Sequence, residues 1–146
     1  MSGKTASKAR RIFFLDIENY AGRPVLDAIS VRSARNSILG QFGLGANDMV
    51  VIGTSHTSNC VVAGLEWEGA RQVFQRGKDG ADKALLKALG QYRLDTFDEV
   101  FVMSGDGVFS DAVSRLASDG IRVRVVSCGE RLSKSLIGKA PCLIAA

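Results

Sequence analysis

Three aspartates, Asp16, Asp82 and Asp106, each stand where an apolar, strand-like run gives way to a helix-like pattern or just inside the helix that follows. Asp106 lies in the stretch 99–112, EVFVMSGDGVFSDA, where the β-favouring residues Val100 to Met103 stop at Ser104-Gly105-Asp106-Gly107. Asp16 closes the apolar run RIFFLDI, and Asp82 falls in the first turn of a helix after the turn Arg76-Gly77-Lys78-Asp79-Gly80. In a right-handed β-α-β sheet every strand ends and every following helix begins at one edge, so the three carboxylates face one crevice. Neighbouring strands lie about 4.8 Å apart. Two carboxylates at about 5 Å repel by roughly 3 kcal/mol at an effective dielectric near 20, and a divalent cation removes the conflict. Ligation by oxygen alone, without His or Cys, suits Mg2+ or Mn2+. An aspartate between glycines at a strand-to-helix turn also suits a plain helix N-cap, and both readings of Asp106 stand at this point.

Placing three acids on one edge requires regular alternation of strands and helices. The apolar run of residues 11–17 reads as a central strand buried on both faces. Asn19, Gly22 and Pro24 mark a loop; residues 25–39 follow as a helix with Leu26, Ile29, Ile38 and Leu39 inward, ended by Gly40, Gly43 and Gly45. Further strands are expected at 48–53, 70–75, 100–104 and 121–127, with helices at 60–67, 81–92 and from about 108 to 118. The tail, 129–146, reads as a short helix and a final edge strand. This pattern predicts an α/β fold with a doubly wound parallel sheet and helices on both faces.

With 146 residues, 46% apolar and 23% charged, the chain suits one soluble domain, and a second has no room. The net charge of +4 traces to residues 1–11, which hold Lys4, Lys8, Arg10 and Arg11 and no acid. We therefore expect a flexible basic arm over 1–11, able to track phosphates or to act as a solubilising tail, ahead of a single domain over 12–146. Cys60, Cys128 and Cys142 are widely spaced and form no zinc motif, so they read as reduced thiols. No secretory signal pattern or membrane-length apolar run appears, and the expected location is cytoplasmic.

FLDIEN at 14–19, KDGAD at 78–82 and MSGDGVF at 103–109 together resemble the NYN domains, a branch of the PIN-like nucleases. The resemblance spans residues 12–127. It implies a PIN-like Rossmannoid sheet in the order 3-2-1-4-5, an acidic metal site and metal-dependent cleavage of RNA, with single-stranded RNA as the expected partner. Carried across, Asp16 and Asp106 look like metal ligands, Asp82 like the third acid and Asn19 like a polar partner, with Ser104 orienting the turn by hydrogen bonding. The chain also departs from the pattern. Many relatives have a second acid where Val108 stands, and some have one where Ala88 and Leu89 stand. Asp111, one helical turn beyond Val108, would replace the missing ligand or be a solvated helix residue.

Arg23 and Lys78 lie on the same edge and read either as phosphate contacts or as ordinary surface charges. His56 reads as exposed, Trp67 as core, Asp79 as a helix cap, and Glu18 as pointing to the opposite strand face from Asp16 unless the loop turns it back. Two functions compete: a Mg2+- or Mn2+-dependent endoribonuclease using Asp16, Asp82 and Asp106, and a non-catalytic RNA-binding or regulatory domain whose site is weakened at Val108. A phosphohydrolase with Asp16 as nucleophile is disfavoured, because FLDIEN lacks the second Asp and following Thr of haloacid-dehalogenase-like enzymes. A homo-oligomer remains open.

Overall fold

The computed structural model describes residues 9–128 and 132–145. Strands β1 (Arg11–Asp16), β2 (Met49–Thr54), β3 (Arg71–Phe74), β4 (Glu99–Met103), β5 (Val123–Ser127) and β6 (Cys142–Ile144) alternate with helices α1 (Ile17–Ala21), α2 (Ala28–Phe42), α3 (Thr57–Glu66), α4 (Gly80–Gln91) and α5 (Ser110–Ser118). The sheet order is β3-β2-β1-β4-β5-β6, and every pairing is parallel. The expected order is thus present, with β6 added as a sixth, parallel edge strand. Short 3-10 turns at Leu94–Thr96, Gly107–Phe109 and Lys134–Leu136 complete the described elements.

β1 lies between β2 and β4, and Ile12 to Ile17 are all buried. Alternation divides this run between two cores. Ile12 and Phe14 pack on one face with Leu85 and Ala88 of α4 and Val113 of α5. Phe13, Leu15 and Ile17 pack on the other with Val31 and Ile38 of α2 and Ala63 of α3, where the Phe13 and Phe101 rings stack at 4.5 Å. Each such side chain stabilises the fold by about 1.5–3 kcal/mol on burial. Trp67 belongs to the second core, as its apolar character suggested.

The acid-bearing helix is seated by close approach. A Cβ on Gly53 of β2 would come within 2.5 Å of the Leu85 side chain, so α4 lies against a strand with no side chain at that point. At Gly80 a Cβ would fall 1.7 Å from the Gln75 carbonyl oxygen, which only glycine avoids at the start of α4. Asp82 lies one turn ahead of Leu85 and is carried with it to the carboxyl edge.

Several local expectations need correction. Ile17, read as the end of the first strand, and residues 18–21, read as loop, form α1, because Asp16 accepts the Asn19 N–H and caps it. Five residues are too few to show a helical period. α2 starts and ends three residues later than expected and runs through Gly40 to stop at Gly43. Ile29, expected inward, is 73% exposed. Asp79 precedes α4 but makes no side-chain cap bond; it sits at φ 58°, a left-handed conformation that aspartate tolerates better than most residues.

Two residues of the expected arm, Arg10 and Arg11, are held against the fold. Arg11 opens β1 and pairs with Asp48 at 2.7 Å. The Arg10 backbone N–H donates to Asp98, and its guanidinium lies over the Phe97 ring. Lys4 and Lys8 lie outside the described residues.

Candidate functional site

β1 and β4 pair with Leu15 opposite Met103, so Asp16 ends one strand beside the Ser104 that ends its neighbour. Alternation turns Asp16 to the same face as Phe14, the face covered by α4, where Asp82 in the first turn comes down to meet it. Both are buried, Asp16 at 4% and Asp82 at 6% exposure. Their carboxyl groups are close enough to act on each other's protonation, Asp16 raising Asp82 and Asp82 lowering Asp16. The Asp82 carboxyl is pushed up to about 8 by burial, by its bond to Asp16 and by the charges of Asp16 and Asp106. Asp16 is also raised, chiefly by burial, against the lowering effect of its bonds to Asp82 and the Asn19 N–H and with the added push of the Glu18 and Asp106 charges.

Asp106 arrives from the turn after β4. Its carboxylate accepts the Val108 N–H at 3.0 Å, and its own N–H donates to the Ser104 hydroxyl at 3.2 Å. The capping geometry is present and does not use up the group, which also helps to raise Asp82. Asn19 joins two of the acid-bearing segments. Its N–H donates to Asp16 Oδ1 at 3.2 Å, and its Oδ1 accepts the Gly105 N–H at 3.4 Å.

Sequence reasoning undervalued Glu18. α1 turns it toward the end of β2, where Oε2 accepts the Ser55 N–H at 2.9 Å and Asn59 Nδ2 at 2.8 Å while Oε1 accepts the Ser55 hydroxyl at 2.6 Å. Asn59 in turn donates to the Pro24 carbonyl and accepts the Leu26 N–H through Oδ1. Ser55 and Asn59 sit in the polar stretch TSHTSN, which carries no periodic signal and gave no reason to single them out.

The remaining candidates stand farther out. Asp111 is exposed in the first turn of α5, and Val108 is 45% exposed beside Asp106. Arg23 is exposed and acts on Asp27 across a groove of about 410 Å³ lined also by Tyr20 and Ser30. Lys78 is exposed in the turn before α4, and His56 is exposed at the N-terminus of α3.

Among the described residues, no ion pair involves Asp16, Glu18, Asp82 or Asp106. Nor are any three His, Cys, Asp or Glu side chains among them arranged as a finished metal cage. The chemistry of the donors nevertheless fits a hard divalent cation: all are carboxylate oxygens, and burial raises both Asp16 and Asp82, a cost that such a cation would offset. Mg2+ and Mn2+ keep several waters and tolerate few protein ligands, so a partial shell is what they require.

A family model described as the NYN domain matches residues 55–145, well over half of the chain. The chain belongs to the NYN domain family. The matched stretch of this NYN domain carries Asp82 and Asp106, while Asp16 and Asn19 lie ahead of it and join the site through β1 and α1. No curated protein matches. Among solved structures, a protein of unknown function from Vibrio parahaemolyticus is similar over 99% of this chain and 96% of its own, at 18% identity and a TM-score of 0.62, a likeness of fold. No described helix is long and apolar enough to cross a membrane.

Proposed function

We propose that this NYN domain is an endoribonuclease dependent on Mg2+ or Mn2+, cleaving RNA phosphodiesters at the carboxyl edge of the sheet. The observation that carries this reading is that Asp16 and Asp82 are buried together with the half-buried Asp106 acting on both, and that none of the three has an ion-pair partner among the described residues. Asp16 and Asp106 would hold the ion, and Asp82 would complete the acidic set. A bound divalent ion would supply charge stabilisation for the phosphoryl oxygens and a more acidic water.

The chain's own residues provide the rest. Asn19 and Ser104 hold the two acid-bearing turns in register through the Asp16, Gly105 and Asp106 contacts. Burial of Asp16 and Asp82 excludes water and strengthens every charge interaction at the site. Exposed Arg23 and Lys78 are the candidate phosphate contacts flanking it, and single-stranded RNA is the expected substrate.

One observation favours the alternative of an RNA-binding domain without cleavage: Val108 offers no carboxylate beside Asp106. The deciding experiment is cleavage of a labelled single-stranded RNA with Mg2+, with Mn2+ and with chelator. Cleavage that requires metal and is lost in Asp106→Asn supports the enzyme; metal-independent cleavage, or an Asp106→Asn variant as active as wild type, overturns it. RNA binding without cleavage under every condition favours the alternative.

A further inference from the structure

Glu18 is a carboxylate next to the acidic cluster that has no ion-pair partner among the described residues and no place in the acid trio, yet both of its oxygens accept hydrogen bonds. Oε2 takes N–H groups from Ser55 and Asn59, and Oε1 takes the Ser55 hydroxyl. These three bonds run from α1 to the end of β2 and the first turn of α3. Asn59 extends the same network to the chain ahead of α2, through the Pro24 carbonyl and the Leu26 N–H, and is fully buried. A half-buried charge accepting three donors is a rigid joint, since removing any acceptor would strand a buried N–H or hydroxyl.

α1 is only five residues long and cannot hold its own geometry. Asn19, the residue after Glu18, nevertheless has two tasks at the acidic site: its N–H sets Asp16 Oδ1, and its Oδ1 takes the Gly105 N–H one residue before Asp106. We infer that Glu18 is a positioning residue for the divalent-ion site: its brace to Ser55 and Asn59 fixes α1 so that Asn19 can hold the Asp16 and Asp106 turns at one separation. This rests on the ion-site reading above. It assigns Glu18 a role through geometry, because its charge works against the site by adding to the repulsion at Asp16.

Geometry and charge can be separated by substitution. In Glu18→Gln the amide oxygen can take the place of Oε2 and accept both N–H groups, while the amide nitrogen donates to the Ser55 hydroxyl, which rotates to accept. The brace survives and the charge is gone. In Glu18→Asp the charge stays, but the side chain is one methylene short of Ser55 and Asn59.

The test is calorimetric titration of Mn2+ into wild type, Glu18→Gln, Glu18→Asp and Asp106→Asn, with thermal melting of each apo protein and the Gly105 amide resonance as a local readout. The brace predicts wild-type affinity and an unmoved Gly105 amide in Glu18→Gln. In Glu18→Asp it predicts a shifted amide and affinity weaker by about tenfold, the lower end of what groups behind metal ligands contribute. Equal affinities in Glu18→Asp and wild type, or loss in Glu18→Gln with retention in Glu18→Asp, overturns the inference. Wild type that binds no Mn2+, or binds it as well in Asp106→Asn, instead overturns the ion-site reading on which it rests.

Discussion

The two edges of the sheet treat the same residue type in opposite ways. At the amino edge carboxylates meet guanidinium groups: Asp48 pairs with Arg11 and Glu99 with Arg124, each at 2.7 Å. The Asp48 carboxyl is held below its ordinary value even though burial pushes it up, because the Arg11 hydrogen bonds and charge and the Gly45 N–H outweigh that cost. At the carboxyl edge Asp16 and Asp82 are more deeply buried, with no cation among the described residues to offset the cost, and both are raised. A fold able to supply arginine partners at one edge leaves them out at the other. The difference separates acids that hold the structure together from acids that, on the function proposed above, take their positive charge from a bound ion.

The sharpest way to break this contrast is one substitution made at each edge. Asp106→Asn should lower metal-dependent RNA cleavage by at least about 100-fold, beyond what loss of a group merely supporting a metal ligand causes. Its apo melting temperature should equal or exceed that of wild type, because Asn caps a helix about as well as Asp and repulsion with Asp16 and Asp82 falls. Asp48→Asn should do the reverse, removing about 1.5–3 kcal/mol of stability with the charge-assisted bonds to Arg11 while leaving Mn2+ affinity unchanged. Parallel denaturation and Mn2+ titration of the two variants checks both. Similar stability changes at the two edges would erase the distinction.

A pH series sharpens the comparison by sign. Asp82 has a folded-state value of about 8 against 3.8 unfolded, so its contribution to apo stability is fully present below about 3.8 and is lost as pH rises through about 8. Asp48, lowered from 3.8, contributes stability that is present above that value and is lost as pH falls through its folded value. Denaturant midpoints of the apo protein from pH 4 to 8 should therefore decline less in Asp82→Asn than in wild type. With saturating Mn2+ the trend should turn upward, since ligand carboxylates bind the ion only after losing protons.

The smallest expected effects concern the position where an acid is missing. Asp111 is exposed in the first turn of α5, so Asp111→Asn should leave Mn2+ affinity within about twofold, the scale of a weak surface charge effect. Val108→Asp adds a carboxylate beside Asp106 and should strengthen Mn2+ binding modestly. Calorimetry on both variants decides whether Val108 marks an incomplete site, and a large loss in Asp111→Asn would show that Asp111 has taken over the ligand role.

What the sequence determined by itself was the frame. The unbroken apolar run before Asp16, the stop at Ser104-Gly105-Asp106-Gly107 and the alternation of strands and helices are local signals, because burial on two faces and tight turns dictate residue type position by position. They were enough to set the parallel sheet and to bring Asp16, Asp82 and Asp106 to one edge. Local signals were weakest where an element is too short for its period to show, as in α1, or where a surface position looks apolar, as at Ile29. The tertiary structure alone decided that Asp16 and Asp82 are buried against each other, how Arg10 and Arg11 are held at the opposite edge, and how Glu18 reaches Ser55 and Asn59. Each of these depends on partners 37 or more residues away, apart from the reach of Arg11 to the Phe42 and Gly43 carbonyls, 31 and 32 residues on. A carboxylate reads the same in a sequence whether it meets an arginine, another acid or a pair of amide donors, and only the packed sheet settles which.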